Sequence, residues 1–322
     1  MLHDRTEVHV QSSYEVIRNA IEFTGPDRLP VQFESLGMDD TRMVTWNQIG
    51  VGDKELPETV DEWGCTWRRS AQKNMGQVMG HPLEEWSALD TFDYPDPDDP
   101  AWYEGMDRQL EETGDTYVLT SIFMLLFERL HALRGFENLL MDLYLERERV
   151  EKLADSIVEF DLCIIENISS RFPGRIHGFN FSDDWGTERS TIISKELWDE
   201  FFKPRYKRVF DACKDAGWHV WMHSCGKINK IIPSLIEIGC DVLNLQQPTT
   251  NGIEETGRQF AGQICFQTLC DIQHTLPFKS PDEIRAEARQ LLEHWSVPSG
   301  GFILIDYGDG RAIGVSDEKK RI

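Results

Sequence analysis

Two side chains with metal-binding chemistry stand two residues apart in the stretch His223-Ser224-Cys225-Gly226. They follow the apolar run His219-Val220-Trp221-Met222, which reads as a strand continuing through residue 225. Side chains alternate along a strand, so positions 223 and 225 are expected on one side of it. Neutral imidazole and thiolate are ligands that zinc takes, and Gly226 permits a sharp backbone turn directly afterwards. A His-x-Cys pair by itself is usually a structural accident. At the C-terminal end of a barrel strand the same pair faces a mouth where chemistry is done.

Neighbouring strand ends carry further candidates. Asp183 and Asp184 follow one strand and could orient a substrate or act as general acid and base, since adjacent carboxylates can have their pKa values pushed apart. The bland alternative is a cap for the segment beyond Gly186. Gln246 and Gln247 follow another strand, Cys270, Asp271 and Gln273 the next, and Asp306, Tyr307 and Asp309 the last. Gln246, Asp306 and Tyr307 are candidate substrate contacts. Cys270 is the expected third metal ligand, because Cys265 starts its strand and would face the opposite end of the barrel. A buried strand thiol is the competing reading of Cys270. His219 and His274 read as solvent or supporting histidines.

These positions need a scaffold, and the chain supplies one by alternation. A helix is expected over residues 11–23 and a strand over 29–33. Further strands are expected over 117–122, 178–181, 219–225, 242–245, 263–269 and 302–305. Helices are expected over 102–113, 127–143, 146–169, 195–216, 228–238 and 281–295, the last opened by Ser280-Pro281-Asp282-Glu283 as N-cap, first-turn proline and early acids. Strands alternating with helices imply a parallel sheet, and no glycine-rich phosphate loop follows any of them. The expectation is an α/β protein, a single-domain (β/α)8 TIM barrel over 1–322, with an irregular excursion at about 40–100 over the barrel mouth.

Composition narrows the function. Against 33 lysines and arginines stand 56 acidic residues, a formal charge of −23, which disfavours nucleic acid and anionic membranes as partners. No apolar stretch is long enough to span a membrane, and the start Met1-Leu2-His3-Asp4-Arg5 is too polar for a signal peptide, so a cytoplasmic protein is expected. Seven scattered cysteines form no disulfide framework; Cys163, Cys213 and Cys240 read as small buried residues.

The chain resembles the uroporphyrinogen decarboxylase superfamily, in its corrinoid-linked methyltransferase branch. The resemblance is carried by Asp183-Asp184-Trp185-Gly186-Thr187, Pro204-Arg205, His223-Ser224-Cys225-Gly226 and Ile236-Glu237-Ile238-Gly239-Cys240-Asp241-Val242-Leu243-Asn244. Pro26-Asp27-Arg28-Leu29-Pro30 and Gln273-His274-Thr275-Leu276-Pro277-Phe278 extend it to most of the chain, least over 40–115. It implies a (β/α)8 barrel, zinc held by His-x-Cys and a later cysteine, and a corrinoid carried by a partner protein. The porphyrinogen decarboxylases use an arginine-rich segment near the first strand, where this chain reads Gln32-Phe33-Glu34-Ser35-Leu36-Gly37-Met38-Asp39-Asp40. Thiol-methylating members place their last cysteine after the final strand, where this chain has Asp306-Tyr307-Gly308-Asp309-Gly310. Cys270, Asp306 or no residue then takes that place. The family also continues into a helix beyond Ser316-Asp317-Glu318-Lys319-Lys320. The expected activity is zinc-dependent methyl transfer between a small methoxylated or methyl-accepting substrate and a corrinoid protein, of the O-demethylase type. A metal-free decarboxylase, a zinc hydrolase and a non-catalytic ligand-binding barrel are the alternatives.

Overall fold

The computed structural model describes residues 10–33, 36–47, 55–69, 76–308, 310–316 and 319. The chain begins with helix α1 (Ser13–Ile21), opened by a capping box between Ser12 and Glu15. Short strands β1 (Val31–Phe33), β2 (Met38–Asp39) and β3 (Thr41–Met43) follow, then a small antiparallel sheet of β4 (Glu58–Val60), β5 (Thr66–Arg68) and β6 (Gln77–Gly80). After α2 (Met106–Glu111) come β7 (Tyr117–Ile122), α3 (Phe127–Arg134), α4 (Phe136–Leu145) and α5 (Arg147–Arg171). The remaining units are β8 (Gly178–Ser182), α6 (Lys195–Leu197), a π turn (Trp198–Phe202), α7 (Lys203–Asp215), β9 (His219–His223), α8 (Ile232–Glu237) and β10 (Val242–Leu245). Then come α9 (Pro248–Asn251), α10 (Ile253–Phe260), β11 (Cys265–Thr268), α11 (Thr275–Phe278), α12 (Pro281–Trp295) and β12 (Phe302–Ile305).

The large sheet runs β2-β1-β12-β11-β10-β9-β8-β7-β3, and every neighbouring pair except β1–β2 is parallel. Eight parallel strands therefore wrap into a barrel with helices around it, the expected fold. Asp40 bridges the seam between the two ends of the sheet. Its amide donates to the Val31 carbonyl at 2.9 Å, its carboxylate accepts from the Val31 amide at 3.0 Å, and its carbonyl accepts from the Tyr117 amide at 2.9 Å. Burial pushes the Asp40 carboxyl up, but the Arg28 guanidinium, the Val31 amide and the Ser13 hydroxyl together hold it below the usual carboxylate range.

Alternation sorts the side chains into two cores. Phe179, Phe181, Val220, Met222 and Leu243 point outward under the helices, while Tyr117, Leu119, Trp221 and Ile303 fill the barrel interior. Ile17 and Ile21 of α1 close the N-terminal end against that inner set. The same period sends Ser182, His223 and Asn244 inward at the other end, where the mouth opens.

Local differences from expectation have local causes. The helix expected over 127–143 is two, broken at Gly135, whose φ of +91° ends one turn and starts another. Strand β9 ends at His223, so Cys225 lies in the following loop rather than on the strand. The excursion holds the β4–β6 sheet, whose three- and four-residue strands are too short for a period to show. Buried Asp61 organises it: the carboxylate accepts from the Trp63 and Cys65 amides and the Trp67 indole, and pairs with buried Arg129 of α3 at 2.9 Å. Helix α12 starts at its expected Ser280 capping box. Among the described residues no helix is long and apolar enough to cross a membrane.

Candidate metal centre

Two loops build the site, one leaving β8 and one leaving β9. They cross glycine on glycine: a Cβ on Gly226 would lie 2.3 Å from the backbone of Gly186, and one on Gly186 would lie 2.5 Å from that of Gly226. Gly226 also has a φ of +75°, a conformation L side chains rarely adopt. The Gly186 amide donates to the Cys225 carbonyl at 3.1 Å and the Trp185 amide to the Ser224 hydroxyl at 3.0 Å. From β10 onward, Gln247 accepts from the Gly226 amide at 2.6 Å, and Asn251 donates to the Gly226 carbonyl at 3.0 Å. Both loops are thereby fixed before any ligand arrives.

That crossing brings Asp184, His223 and Cys225 together, with one donor atom from each lying within 4.8 Å of the others. His223 Nε2 is 3.4 Å from Cys225 Sγ and 3.5 Å from Asp184 Oδ1. Zinc bonds of about 2.0–2.3 Å at the tetrahedral angle place donors roughly 3.3–3.6 Å apart, so both separations suit the ion. Among the described residues no other trio of His, Cys, Asp or Glu donors is as close. Asn244 completes the orientation of the imidazole. Its Oδ1, which can only accept, sits 2.5 Å from His223 Nδ1, so the proton belongs on Nδ1 and the Nε2 lone pair faces Cys225 and Asp184. Asp184 Oδ1 accepts from the Cys225 amide at 2.8 Å. Burial first, then the Asp184 and Glu128 carboxylates, push the Cys225 thiol above its ordinary range. A bound divalent cation would reverse that preference and favour thiolate.

Asp183 has a different surrounding from its neighbour. It is fully buried, accepts from the amides of Leu126, Phe127 and Glu128 at 3.0, 2.7 and 2.6 Å, and accepts from the Tyr206 hydroxyl. It therefore anchors the N-terminus of α3 rather than the segment beyond Gly186. Burial pushes its carboxyl up to about 6, against those four donors. The anchoring holds Glu128 beside the site, where burial and the charges of Asp184 and Asp183 push its carboxyl well above the usual range.

Cys270 does not join His223 and Cys225. Two residues beyond the end of β11, its thiol turns outward and donates to the Ile284 carbonyl of α12 at 3.4 Å, and burial pushes it up to about 12. It lines a separate apolar cavity of about 360 Å³ between the barrel wall and α12, together with Tyr307. Asp184 occupies the third place instead. Asp306 borders both that cavity and the barrel mouth, and Gln246 borders the mouth. Asp309 and Glu34 lie outside the described residues. His219 sits at the opposite end of the barrel, its Nδ1 2.7 Å from the Tyr117 hydroxyl.

Asn244 and Glu128 were not singled out from sequence. A polar residue inside the apolar run Val242-Leu243-Asn244-Leu245, two positions before Gln246, was the available signal for the first. Glu128 carries no such mark, because an acid in the first turn of a helix is ordinary.

The mouth itself is a cavity of about 320 Å³ to which all eight parallel strands or their ends contribute. A family model described as uroporphyrinogen decarboxylase (URO-D) matches residues 67–305. A methyltransferase from Methanosarcina mazei is similar in structure, with a TM-score of 0.60 at 12% identity over 96% of this chain and 84% of that one. A D-psicose 3-epimerase (TM-score 0.38, 12% identity, 67% and 77% covered) and a 3-keto-D-glucoside 4-epimerase from E. coli (0.39, 11%, 65% and 80%) are more distant. No protein of curated function matches in sequence. At such identities the structural likenesses speak to fold alone, whereas the family model spans well over half of the chain. By that match, and with the barrel it requires, the chain belongs to the uroporphyrinogen decarboxylase family.

Proposed function

We propose that this chain is a methyltransferase that moves a methyl group between a small substrate and a corrinoid carried by a separate protein. The observation that carries the reading is the Asp184–His223–Cys225 cluster, oriented by Asn244, at the mouth of the barrel. These three residues would hold zinc, leaving a fourth position open as in catalytic rather than structural sites. When bound, zinc supplies Lewis acidity toward the oxygen of a methyl ether or a methyl-accepting group. His223 presents Nε2 because Asn244 fixes its tautomer. Asp184 supplies an oxygen donor and braces the Cys225 amide, and Asp183 positions α3 without entering the chemistry. Of the directions open to such an enzyme, O-demethylation of a methoxylated compound is favoured, since the third donor is a carboxylate and not a second thiolate.

Decarboxylation of a polycarboxylate finds less support. Among the described residues lining the mouth there is no arginine or lysine, and one carboxylate, Asp306, is present. The test is metal content with turnover. About one zinc per purified chain is expected, lost in Cys225→Ser and His223→Ala together with corrinoid-dependent demethylation. A metal-free protein of full activity, or Cys225→Ser with unchanged turnover, contradicts the reading.

A further inference from the structure

The barrel mouth is unusual in what its polar wall is made of. Five carboxamides face it: Gln32 from β1, Asn180 from β8, Asn244 and Gln246 from β10 and its end, and Gln267 from β11. They alternate with outward apolar residues along their strands, so one ring of inward positions is amide where a family built for polycarboxylates would need cations. Some of the amides lock one another. Gln267 Nε2 donates to Gln32 Oε1 at 2.5 Å, Asn244 Nδ2 donates to the Gln267 carbonyl at 3.2 Å, and Gln246 Nε2 donates to Asn244 Oδ1 at 3.3 Å. Each carboxamide has two N–H groups and two lone pairs, so this network leaves both donors and acceptors unspent. Asn180 has no side-chain hydrogen bond to another described residue. Trp221, Leu119 and Ile305 supply an apolar wall beside the amides.

We propose that this ring selects an uncharged, hydroxyl-bearing, single-ring substrate and rejects its carboxylate analogue. The assignment rests on the reading above only in taking the mouth as the substrate site. A hydroxyl both donates and accepts, so it can pair with either end of a carboxamide. A carboxylate only accepts: along this wall it would face amide oxygens and Asp306 with no arginine or lysine on the described lining to replace its lost hydration, and the one cation of the reading above, zinc, is taken by the ether oxygen of the substrate. A volume of about 320 Å³ is also at the small end of ligand pockets, suited to one ring and not to a four-ring macrocycle.

The test is calorimetric titration of the purified full chain, without corrinoid protein, using vanillyl alcohol and vanillate as a matched pair at neutral pH. The alcohol is expected to bind at least about tenfold more tightly than the acid. Gln246→Arg, its fold checked by circular dichroism, supplies the missing cation and should narrow or reverse that preference. Asn180→Leu should weaken the alcohol by about tenfold or less, the worth of one or two hydrogen bonds. Equal or tighter binding of vanillate by the unaltered chain overturns the proposal, as does failure of both probes to bind or a preference that Gln246→Arg leaves unchanged. Selective binding of the alcohol without corrinoid-dependent demethylation would leave the substrate class standing and refute methyl transfer. Demethylation of vanillate in preference to the alcohol would do the reverse.

Discussion

A histidine is readied for a metal when its other nitrogen is committed, and Asn244 makes that commitment for His223. The Nδ1 proton points at an oxygen that cannot donate, so the Nε2 lone pair is held toward Cys225 and Asp184. Replacing Asn244 by Leu should leave the strand in place and lower zinc affinity by about 10–100-fold, measured by competition with a chelator of known affinity. Cys270→Ser should keep zinc binding within about twofold, because its thiol faces Ile284 in the outer wall and its loss removes one weak bond. His223 and Cys225 were legible in the sequence by type and spacing. The partner at the third position was not, because proximity of Asp184 depends on two loops that touch across 40 residues of chain. Its place at a strand end pointed to Cys270, yet it sits two residues past the last ladder pair of β11, where its thiol turns outward to Ile284.

The loops after β8 and β9 work as one unit because their glycines are in contact. Gly226→Ala would set a methyl 2.3 Å from the Gly186 backbone in a left-handed conformation, so both space and φ oppose it. A loss of about 2–4 kcal/mol is expected in a urea titration, with zinc binding impaired even in the folded fraction. The glycine after Cys225 was readable as a turn; its partner Gly186 was not readable as the reason for it. The β4–β6 sheet depends likewise on one buried cation, Arg129, which pairs with Asp61 at 2.9 Å and Glu62 at 3.7 Å. Arg129→Met would leave the Asp61 carboxylate buried without its cation, and about 3–5 kcal/mol should be lost. The double change Asp61→Asn with Arg129→Met should recover part of it. Long periodic elements such as α5 and α12 were legible almost to their ends, since a buried stripe and a capping box each mark the sequence. The three-residue strands carry neither mark.

Across the molecule, eight parallel strands close at Asp40, and the mouth they form holds the candidate site. Alternation of apolar runs made the barrel legible, the strand expected over 29–33 appearing as β1; β2, β3 and the seam were not, because those strands are only two and three residues long. Two histidines should make a contribution to stability that depends on pH in a defined direction. Burial, then a neighbouring histidine, push His131 and His177 down to about 4, and His177 Nδ1 accepts from the Val118 amide, a bond that protonation would break. The unfolded chain takes up these protons near pH 6.5 and the folded chain only near pH 4, so the contribution of these two histidines is fully present above about 6.5 and is lost as pH drops through that window. The Asp40 carboxyl, held low by Arg28, adds a second loss only once pH falls below the ordinary carboxylate range. The raised carboxyls of Asp183 and Glu128 act in the opposite direction over the same range, so the histidine contribution is read as a difference: the thermal midpoint of His131→Phe should gain on that of the unaltered chain as pH falls from about 6.5 to 4. The metal site offers the decisive measurement: zinc K-edge absorption on the purified chain. One sulfur donor with two or three nitrogen or oxygen donors is expected, the sulfur lost in Cys225→Ser. Two sulfur donors, or no bound zinc at all, would contradict the Asp184–His223–Cys225 centre.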